Sequence, residues 1–208
     1  MENEARTDAH KARIRDRDTA LRAACAAILP PDGALVWEVG CGHGHFLAAY
    51  AAAHPGRCCI GVDIASDRIG RAERKQVRAG LGNLHFLQAD AGAFLAALPA
   101  HARLSEIYVL FPDPWPKRRH HKNRVLQPAF LAEVARRAGK GAHIYFRTDD
   151  SAYFAYVEAV INPSPEWSLS GDPWPFESET VFQNRAPIHH SLVAVRTSVP
   201  ADRISPAA

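Results

Sequence analysis

Short apolar runs rich in β-branched residues alternate along this chain with segments of helical spacing, and this alternation constrains the fold more than any other feature. Strands are predicted at 34–39, 57–62, 84–88, 107–111 and 143–146. Helices are predicted at 44–54, 66–80, 91–98, 127–137 and 151–161. Repeated strand–helix units build a parallel sheet with helices on both faces. The sequence therefore predicts an α/β, doubly wound, Rossmann-like architecture.

The 208 residues suit one such domain and are too few for two of ordinary size. Residues 1–30 are predicted as a charged N-terminal arm followed by a helix from about Thr19, residues 31–200 as a single domain, and residues 201–208 as a disordered tail. The arm is interpreted either as a solvated or frayed helical segment or as a basic arm that touches RNA. Between 162 and 187, five prolines predict a long loop with one short strand at 167–170, and a final strand is predicted at 188–196.

Several features bear on where the protein works. No apolar stretch is long enough to span a bilayer, and the charged start carries no secretory signal, so we expect a cytoplasmic protein without a membrane partner. The four cysteines lack metal-site spacing and are interpreted as buried thiols. The pairs His120-His121 and His189-His190 have no cysteine or carboxylate at ligand spacing. We therefore expect no metal, and no obligate protein partner is indicated.

A glycine-rich turn follows the first predicted strand, at Gly40, Gly42 and Gly44. At the switch point of a doubly wound sheet this turn would approach a ligand closely. A dinucleotide fingerprint would read GxGxxG, whereas this chain reads GxGxG and places Glu38 just before the turn. That carboxylate would repel a pyrophosphate, but it suits a ligand with a cationic methionine moiety.

Two further carboxylates follow the next two strands. Asp63 ends the second strand, where it could accept hydrogen bonds from ribose hydroxyls. Asp90 ends the third strand, where it could receive an adenine amino group, although a helix N-cap explains it equally well taken alone. Because Glu38, Asp63 and Asp90 lie at the carboxyl ends of three successive strands, a chance origin for the set is disfavoured, and this half of the chain resembles the Rossmann-type S-adenosylmethionine-dependent methyltransferases.

The loop after the fourth predicted strand is the most informative segment. It reads FPDPWPKRRHHKNR from Phe111, with prolines that stiffen it around Asp113 and Trp115. A carboxylate can accept from guanine N–H groups, and an aromatic face can stack on an extruded base. Five Lys/Arg residues, at positions 117–124, are predicted to contact phosphates. A solvated basic loop is the competing interpretation of the charged run alone.

This loop resembles the FPDPWxKxRHxKxR signature of bacterial tRNA (guanine-N7-)-methyltransferases. The resemblance covers about residues 34–196 and includes the EVGCGxG turn, Gly61-Val62-Asp63, Asp90, Arg147-Thr148-Asp149 and 180–185. It implies a seven-stranded methyltransferase sheet, S-adenosylmethionine as methyl donor, tRNA as partner, and guanine 46 of the variable loop as acceptor.

The resemblance also implies roles for individual residues. It implies donor-site roles for Glu38, Gly40, Gly42, Asp63, Asp90 and Asp113. It implies substrate-site roles for Lys117, Asp149, Thr180, Val181, Phe182 and Gln183. Two departures stand out, because the family pattern TxFE ends here in Gln183, and the segment between Arg185 and Ile188 is shorter than usual. A neutral amide accepts hydrogen bonds but adds no negative charge beside a base that becomes cationic.

Guanine N7 carries an available lone pair, so this reaction needs no general base. Asp113 is predicted to be the central catalytic residue, which holds the guanine edge or the donor near the methyl group. Arg68, Arg71, Arg74, Lys75 and Arg78 recur at helical spacing and indicate either a positive stripe for RNA or a solubilising face. Four alternatives remain: a methyltransferase acting on another RNA site, one acting on a small molecule or protein, a catalytically weak RNA-binding relative, and a nicotinamide-dependent oxidoreductase.

Overall fold

Strands and helices alternate through residues 2–178 and 188–197, the part of the chain that this computed structural model describes. The strands are β1 (Ala34–Val39), β2 (Cys59–Asp63), β3 (Leu84–Gln88), β4 (Arg103–Leu110), β5 (Ala138–Thr148), β6 (Trp167–Ser170) and β7 (His190–Arg196). The α-helices are α1 (Glu2–Ile28), α2 (His45–Ala53), α3 (Ser66–Ala79), α4 (Ala91–Ala97), α5 (Pro128–Arg137) and α6 (Ser151–Ile161). A short 3-10 helix covers Arg118–Asn123.

Within these residues the strands form one seven-stranded sheet in the order β3-β2-β1-β4-β5-β7-β6. The strands β1 to β5 run parallel, and β7 is antiparallel to both β5 and β6. The chain builds the sheet outward from β1 through β2 to β3, then returns to β4 on the other side of β1. The predicted α/β, doubly wound, seven-stranded fold is confirmed, and the switch point between β1 and β4 is where such sheets bind ligands.

Alternating side chains of β1 face two separate hydrophobic cores. Leu35, Trp37 and Val39 belong to one core, whereas Val36 belongs to the other. The first core packs against α1, α4, α5 and α6, and the second against α2 and α3. Helices therefore cover both faces, because successive strand side chains point to opposite sides.

The N-terminal segment differs from the expectation of an arm before a helix. One continuous helix, α1, runs from Glu2 to Ile28. The alanine, glutamate, lysine and arginine of its first half are good helix formers, so the charged composition permits a helix that apolar spacing alone did not reveal. Elsewhere the expected elements are present with shifted ends, and β5 begins at Ala138, five residues before the predicted start. The tail predicted at 201–208 lies outside the described residues.

A helix that spans a membrane must be long and apolar. Across residues 2–178 and 188–197, no helix combines the length and the apolar character that crossing a bilayer requires.

The cysteines Cys25, Cys41, Cys58 and Cys59 are free thiols, and burial raises the pKa of Cys25 and of Cys58 to about 11.

Candidate active site

The glycine-rich turn and the proline-rich loop leave the sheet at the same edge. The strands that precede them, β1 and β4, are parallel neighbours in which Glu38 pairs with Tyr108 and Val39 with Val109. The turn begins one residue after Val39, and the loop begins directly after Leu110. Both segments therefore follow the carboxyl ends of adjacent strands, at the switch point of the sheet.

Two glycines of the turn leave open space beside the backbone. Gly40 has φ 68° and Gly42 has φ 54°, a left-handed conformation that favours glycine. A Cβ atom built on either residue meets no heavy atom within 4 Å. The neighbouring Gly44 differs, because a Cβ there would lie 2.3 Å from the ring of Phe86. Gly44 is thus required for packing, whereas Gly40 and Gly42 border space that a ligand can fill.

Glu38 is a buried carboxylate that lacks part of its hydrogen bonding. Its side chain is 5% exposed, and its Oε2 atom has no hydrogen-bond partner among the described residues. Burial raises its pKa to about 8; the Leu47 backbone N–H lowers it, nearby Asp63 raises it, and Lys75 lowers it. An unpaired buried oxygen is costly, and a cationic donor group would both pair with it and favour its ionised form. The residue fits the ammonium group of a methionine moiety.

Asp63 ties the end of β2 to the glycine turn. Its Oδ2 atom accepts from the backbone N–H of Gly42 at 2.9 Å, and its Oδ1 atom accepts from that of Ala65 at 2.9 Å. Arg68 lies 3.7 Å from Oδ2. An ionised carboxylate has about four acceptor positions, so positions remain for ribose hydroxyls. Asp63 is therefore held in a fixed position beside the glycine turn.

Asp90 serves as a helix cap. Its Oδ1 atom accepts from the backbone N–H of Ala93 at 2.9 Å, at the start of α4. The residue is exposed, and the cap uses one of its two oxygens. The two interpretations of Asp90 are therefore compatible, since capping leaves the second oxygen available to an amino group.

The proline-rich loop carries unusual backbone geometry on both sides of Asp113. Phe111 has φ 48° and Trp115 has φ 45°, and each precedes a proline. A non-glycine residue in the left-handed region costs about 1–3 kcal/mol, and such strain persists only where surrounding contacts hold it. The backbone N–H of Phe111 donates to the carbonyl of Arg147 at 2.8 Å. Asp113 is exposed at the middle of this held loop.

Arg124 holds the loop from inside, which corrects its assignment to phosphate contacts. The side chain is buried, and its Nε donates to the carbonyl of Pro114 at 2.9 Å. Its guanidinium lies 4.7 Å from the ring centre of Tyr153 and 4.9 Å from that of Tyr156. A guanidinium packed against two aromatic rings is stabilised by cation–π interactions. Arg124 therefore anchors the loop and is not free to bind RNA.

The rest of the basic run does lie on the surface. Lys117 is exposed at the end of the loop, and Arg118, Arg119 and Lys122 are exposed on or beside the short 3-10 helix. These four charges adjoin Asp113 and Trp115. They supply a positive surface next to the edge at which the glycine turn lies.

Arg147 is a second buried cation, and the sequence patterns do not reveal its anchoring role. Its guanidinium donates to both carboxylate oxygens of Glu177, at 2.9 and 2.8 Å, and its Nε donates to Ser191 Oγ at 2.9 Å. It also lies 4.0 Å from the ring centre of Trp174. Arg147 thus fixes the segment that precedes the predicted substrate turn. That turn, Thr180, Val181, Phe182 and Gln183, lies outside the described residues, whereas Asp149 is exposed after β5.

Lys75 is a further residue whose role the sequence pattern obscured. The sequence pattern groups Lys75 with a positive stripe on α3, but its Nζ donates to the carbonyl of His43 at 2.9 Å. Burial lowers the pKa of Lys75, and neighbouring Arg78 lowers it further, while Glu38 raises it. Lys75 therefore braces the glycine turn. Arg68, Arg71, Arg74 and Arg78 remain exposed on α3.

Among residues 2–178 and 188–197, no three histidine, cysteine or carboxylate side chains lie together as a metal site would require. His120 instead packs edge-on against Trp115, with 5.8 Å between the ring centres. His190 Nε2 and Ser151 Oγ form a hydrogen bond of 2.9 Å. The arrangement at this edge offers buried acids and a stiff loop for binding and orienting ligands.

Comparison with known proteins places these features in context. A family model described as "Putative methyltransferase" matches residues 32–181. A tRNA (guanine-N(7)-)-methyltransferase of Alkalilimnicola ehrlichii is 32% identical over 155 residues, which cover 72% of this chain and 65% of the relative. A protein of the same description from Nocardia farcinica is 40% identical over 126 residues, which cover 61% of this chain and 47% of the relative. The chain thus spans about half to two thirds of the length of these relatives.

Solved structures resemble the fold. The antibiotic-resistance methyltransferase Kmr aligns with a TM-score of 0.54 at 22% identity, over 84% of this chain and 93% of that protein. At this identity the likeness concerns the fold alone, which is that of a Rossmann-like methyltransferase.

Proposed function

This chain belongs to the methyltransferase family whose model matches residues 32–181, and from that premise we propose that it transfers a methyl group from S-adenosylmethionine to N7 of a guanine in tRNA. The observation that carries the proposal is the shared sheet edge of the glycine turn after β1 and the Asp113 loop after β4. The relatives of Alkalilimnicola ehrlichii and Nocardia farcinica are described as tRNA (guanine-N(7)-)-methyltransferases. We extend that description to this chain.

The donor assignment is supported by the chemistry of the turn. Among the residues that the structure describes, one buried carboxylate oxygen of Glu38 has no hydrogen-bond partner, and it can pair with the donor's ammonium group. Asp63 keeps acceptor positions for the ribose, and the open space beside Gly40 and Gly42 lets the ligand approach the backbone. Asp90 keeps one oxygen for the adenine amino group. The bound donor supplies an electrophilic methyl group on a sulfonium.

The acceptor side orients the base. The N7 lone pair forms the new N–C bond as the S–C bond of the donor breaks, so no proton has to leave and no general base is required. Asp113 lies in the strained loop and is proposed to hold the guanine edge or the donor in line for this displacement. Trp115, half-buried in the same loop, offers a ring for stacking the extruded base.

The exposed cations beside the loop support tRNA as the partner. Lys117, Arg118, Arg119 and Lys122 adjoin the loop and can neutralise phosphates. Binding that releases counterions weakens steeply as salt rises, whereas binding of a small-molecule substrate does not. Lys117, Asp149 and the turn of Thr180, Val181, Phe182 and Gln183 are proposed to contact the substrate, and Gln183 is proposed to accept hydrogen bonds in place of the usual glutamate.

One assay tests the proposal directly. Purified protein is incubated with isotopically labelled S-adenosylmethionine and unmodified tRNA transcripts, and the product is cleaved chemically at N7-methylguanine. We expect label in tRNA and cleavage at one variable-loop guanine. Label in another nucleoside would overturn the N7 chemistry, label in a small molecule or protein would overturn the tRNA partner, and donor binding without any transfer would indicate a non-catalytic RNA-binding relative.

A further inference from the structure

The first helix borders a cavity that the residues discussed so far do not fill. The cavity has a volume of about 390 Å³ and lies between α1 and the carboxyl ends of β2 and β3. Apolar and polar side chains line it together. Helix α1 contributes Ile14, Arg17, Asp18 and Leu21, while the strand ends and α4 contribute Ile64, Gln88, Ala89, Asp90 and Ala93. Cavities of about 300–1,000 Å³ with apolar walls and a few polar groups are typical of small-molecule sites.

The walls of this cavity carry exposed apolar side chains from two distant parts of the chain. Ile64 is 73% exposed and Ile14 is 45% exposed, both unusually high for isoleucine. Leu21, about two turns further along the same face of α1, packs partly against the core. Solvent-exposed isoleucines that line one cavity from two elements mark a surface that gains free energy when an apolar ring covers it.

The polar groups of the cavity indicate which ring would fit. Ile64 directly follows Asp63, which keeps acceptor positions for a ribose, so the cavity adjoins the proposed sugar site. Asp90 lies in the lining, and its capping bond occupies only Oδ1. An aromatic base with an exocyclic amino group meets both requirements, because its faces are apolar and its amino group donates to a carboxylate.

We infer that α1 forms the outer wall of the adenine subsite, with Ile14 and Ile64 on opposite sides of the base. This inference rests on the proposed function, since the adenine belongs to the S-adenosyl donor. The N-terminal helix then contributes to donor affinity and is itself held in place by the bound nucleoside. Residues of α1, which precedes β1, thus join the donor site.

The test measures binding of S-adenosylhomocysteine by calorimetry to the full chain. Ile14→Glu places a charge in the cavity, and Ala23→Glu places the same charge on an exposed position that a helix of 3.6 residues per turn directs to the opposite side of α1. We expect Ile14→Glu to weaken binding about tenfold or more, and Ala23→Glu to leave it unchanged. Ile14→Val, which keeps an apolar wall, should retain most of the affinity.

A second measurement is independent of substitution. Backbone hydrogen exchange in α1 should slow when S-adenosylhomocysteine is added to the wild-type chain, because the bound base holds the helix. If wild type binds but Ile14→Glu matches Ala23→Glu and exchange in α1 is unchanged, the wall assignment is overturned while the proposed function stands. If wild type does not bind S-adenosylhomocysteine, the proposed function itself fails.

Discussion

The two sides of the candidate site are built on different principles. On the proposed donor side, Glu38 and Asp63 are buried and lie directly at strand ends, and Asp63 is fixed by two backbone N–H groups. On the proposed acceptor side, Asp113, Lys117 and Asp149 are exposed, and Asp113 lies between Phe111 and Trp115, two residues with positive φ. The proposed donor side is held at strand ends by backbone hydrogen bonds and by Lys75, whereas the segments of the proposed acceptor side are held by the buried Arg124 and Arg147.

This difference indicates which substitutions should impair each half of the site. Arg124 reaches the loop carbonyl of Pro114, and Arg147 reaches Glu177 and Ser191, so two arginines hold the acceptor segments. Substitutions of these arginines should impair catalysis without changing donor affinity. Substitutions of the donor acids should do the reverse. The following predictions test this separation, from the largest expected effect to the smallest.

Replacing Asp113 should have the largest effect on methyl transfer. For Asp113→Ala we expect the single-turnover rate of methyl transfer to fall by about 10²–10³-fold, because a group that orients or stabilises the transition state is lost. The measurement uses saturating donor and tRNA. Glu133→Ala, which removes an exposed carboxylate on α5, is the control and should keep the wild-type rate. Near-normal turnover by Asp113→Ala would remove this residue from the mechanism.

Replacing Glu38 should affect donor binding. Glu38→Gln should weaken S-adenosylhomocysteine binding by about 10–100-fold, since a hydrogen bond between charged groups contributes about 1.5–3 kcal/mol. The pKa of Glu38 is raised to about 8, so the group is mostly protonated at pH 7 before the ligand's ammonium favours its ionised form. Calorimetry in buffers of different ionisation enthalpy should therefore detect proton release by wild type and less by the variant. Equal release would contradict this assignment.

The ionisation of Glu38 should also make the stability of the fold fall as pH rises. Because the pKa of Glu38 is raised from 4.5 to about 8 in the fold, its contribution to stability is greatest below pH 4.5 and is lost as pH rises through 8. Unliganded Glu38→Gln should thus gain stability relative to wild type between pH 6 and pH 9 in thermal unfolding. A constant difference across that range would show that Glu38 ionises normally.

Replacing Arg124 should uncouple the loop from the fold. Arg124→Met should lower the free energy of unfolding by about 1–3 kcal/mol, because the Pro114 carbonyl loses its donor. The rate of transfer should fall about tenfold while donor affinity stays unchanged, as measured by chemical denaturation, steady-state kinetics and calorimetry. The exposed Arg118→Met is the matched control, and it should alter only the KM for tRNA. Equal behaviour of the two variants would refute the anchoring role.

The smallest effect is expected at Glu177. This side chain is 62% exposed, so loss of its ion pair with Arg147 in Glu177→Gln should cost at most about 1 kcal/mol of stability. Because the pair fixes the segment leading to 180–183, the KM for tRNA should rise by about two- to fivefold. Donor affinity measured on the same preparation serves as the internal control, and its parallel decline would argue against an acceptor-side role.

The sequence marks the strand-end carboxylates of the candidate site but not the buried contacts that hold its loops, for a physical reason. Glu38, Asp63 and Asp90 are marked by short-range patterns, since each follows a strand. The anchoring contacts join residues far apart: Lys75 and His43 are separated by 32 positions, Arg147 and Ser191 by 44. Spacing on one helix cannot show that Lys75 turns inward, and a basic run cannot show that Arg124 is buried. Charged residues with interior partners are therefore what sequence patterns miss.

The central claim is that the two halves act on a single atom, guanine N7. A tRNA transcript in which 7-deazaguanine replaces the variable-loop guanine keeps the base-pairing edge and the stacking surface but has a C–H group at the reacting position. With labelled S-adenosylmethionine, we predict transfer to the guanine transcript and none to the deaza transcript, although both compete equally for binding. Equal labelling of the two transcripts would contradict the account.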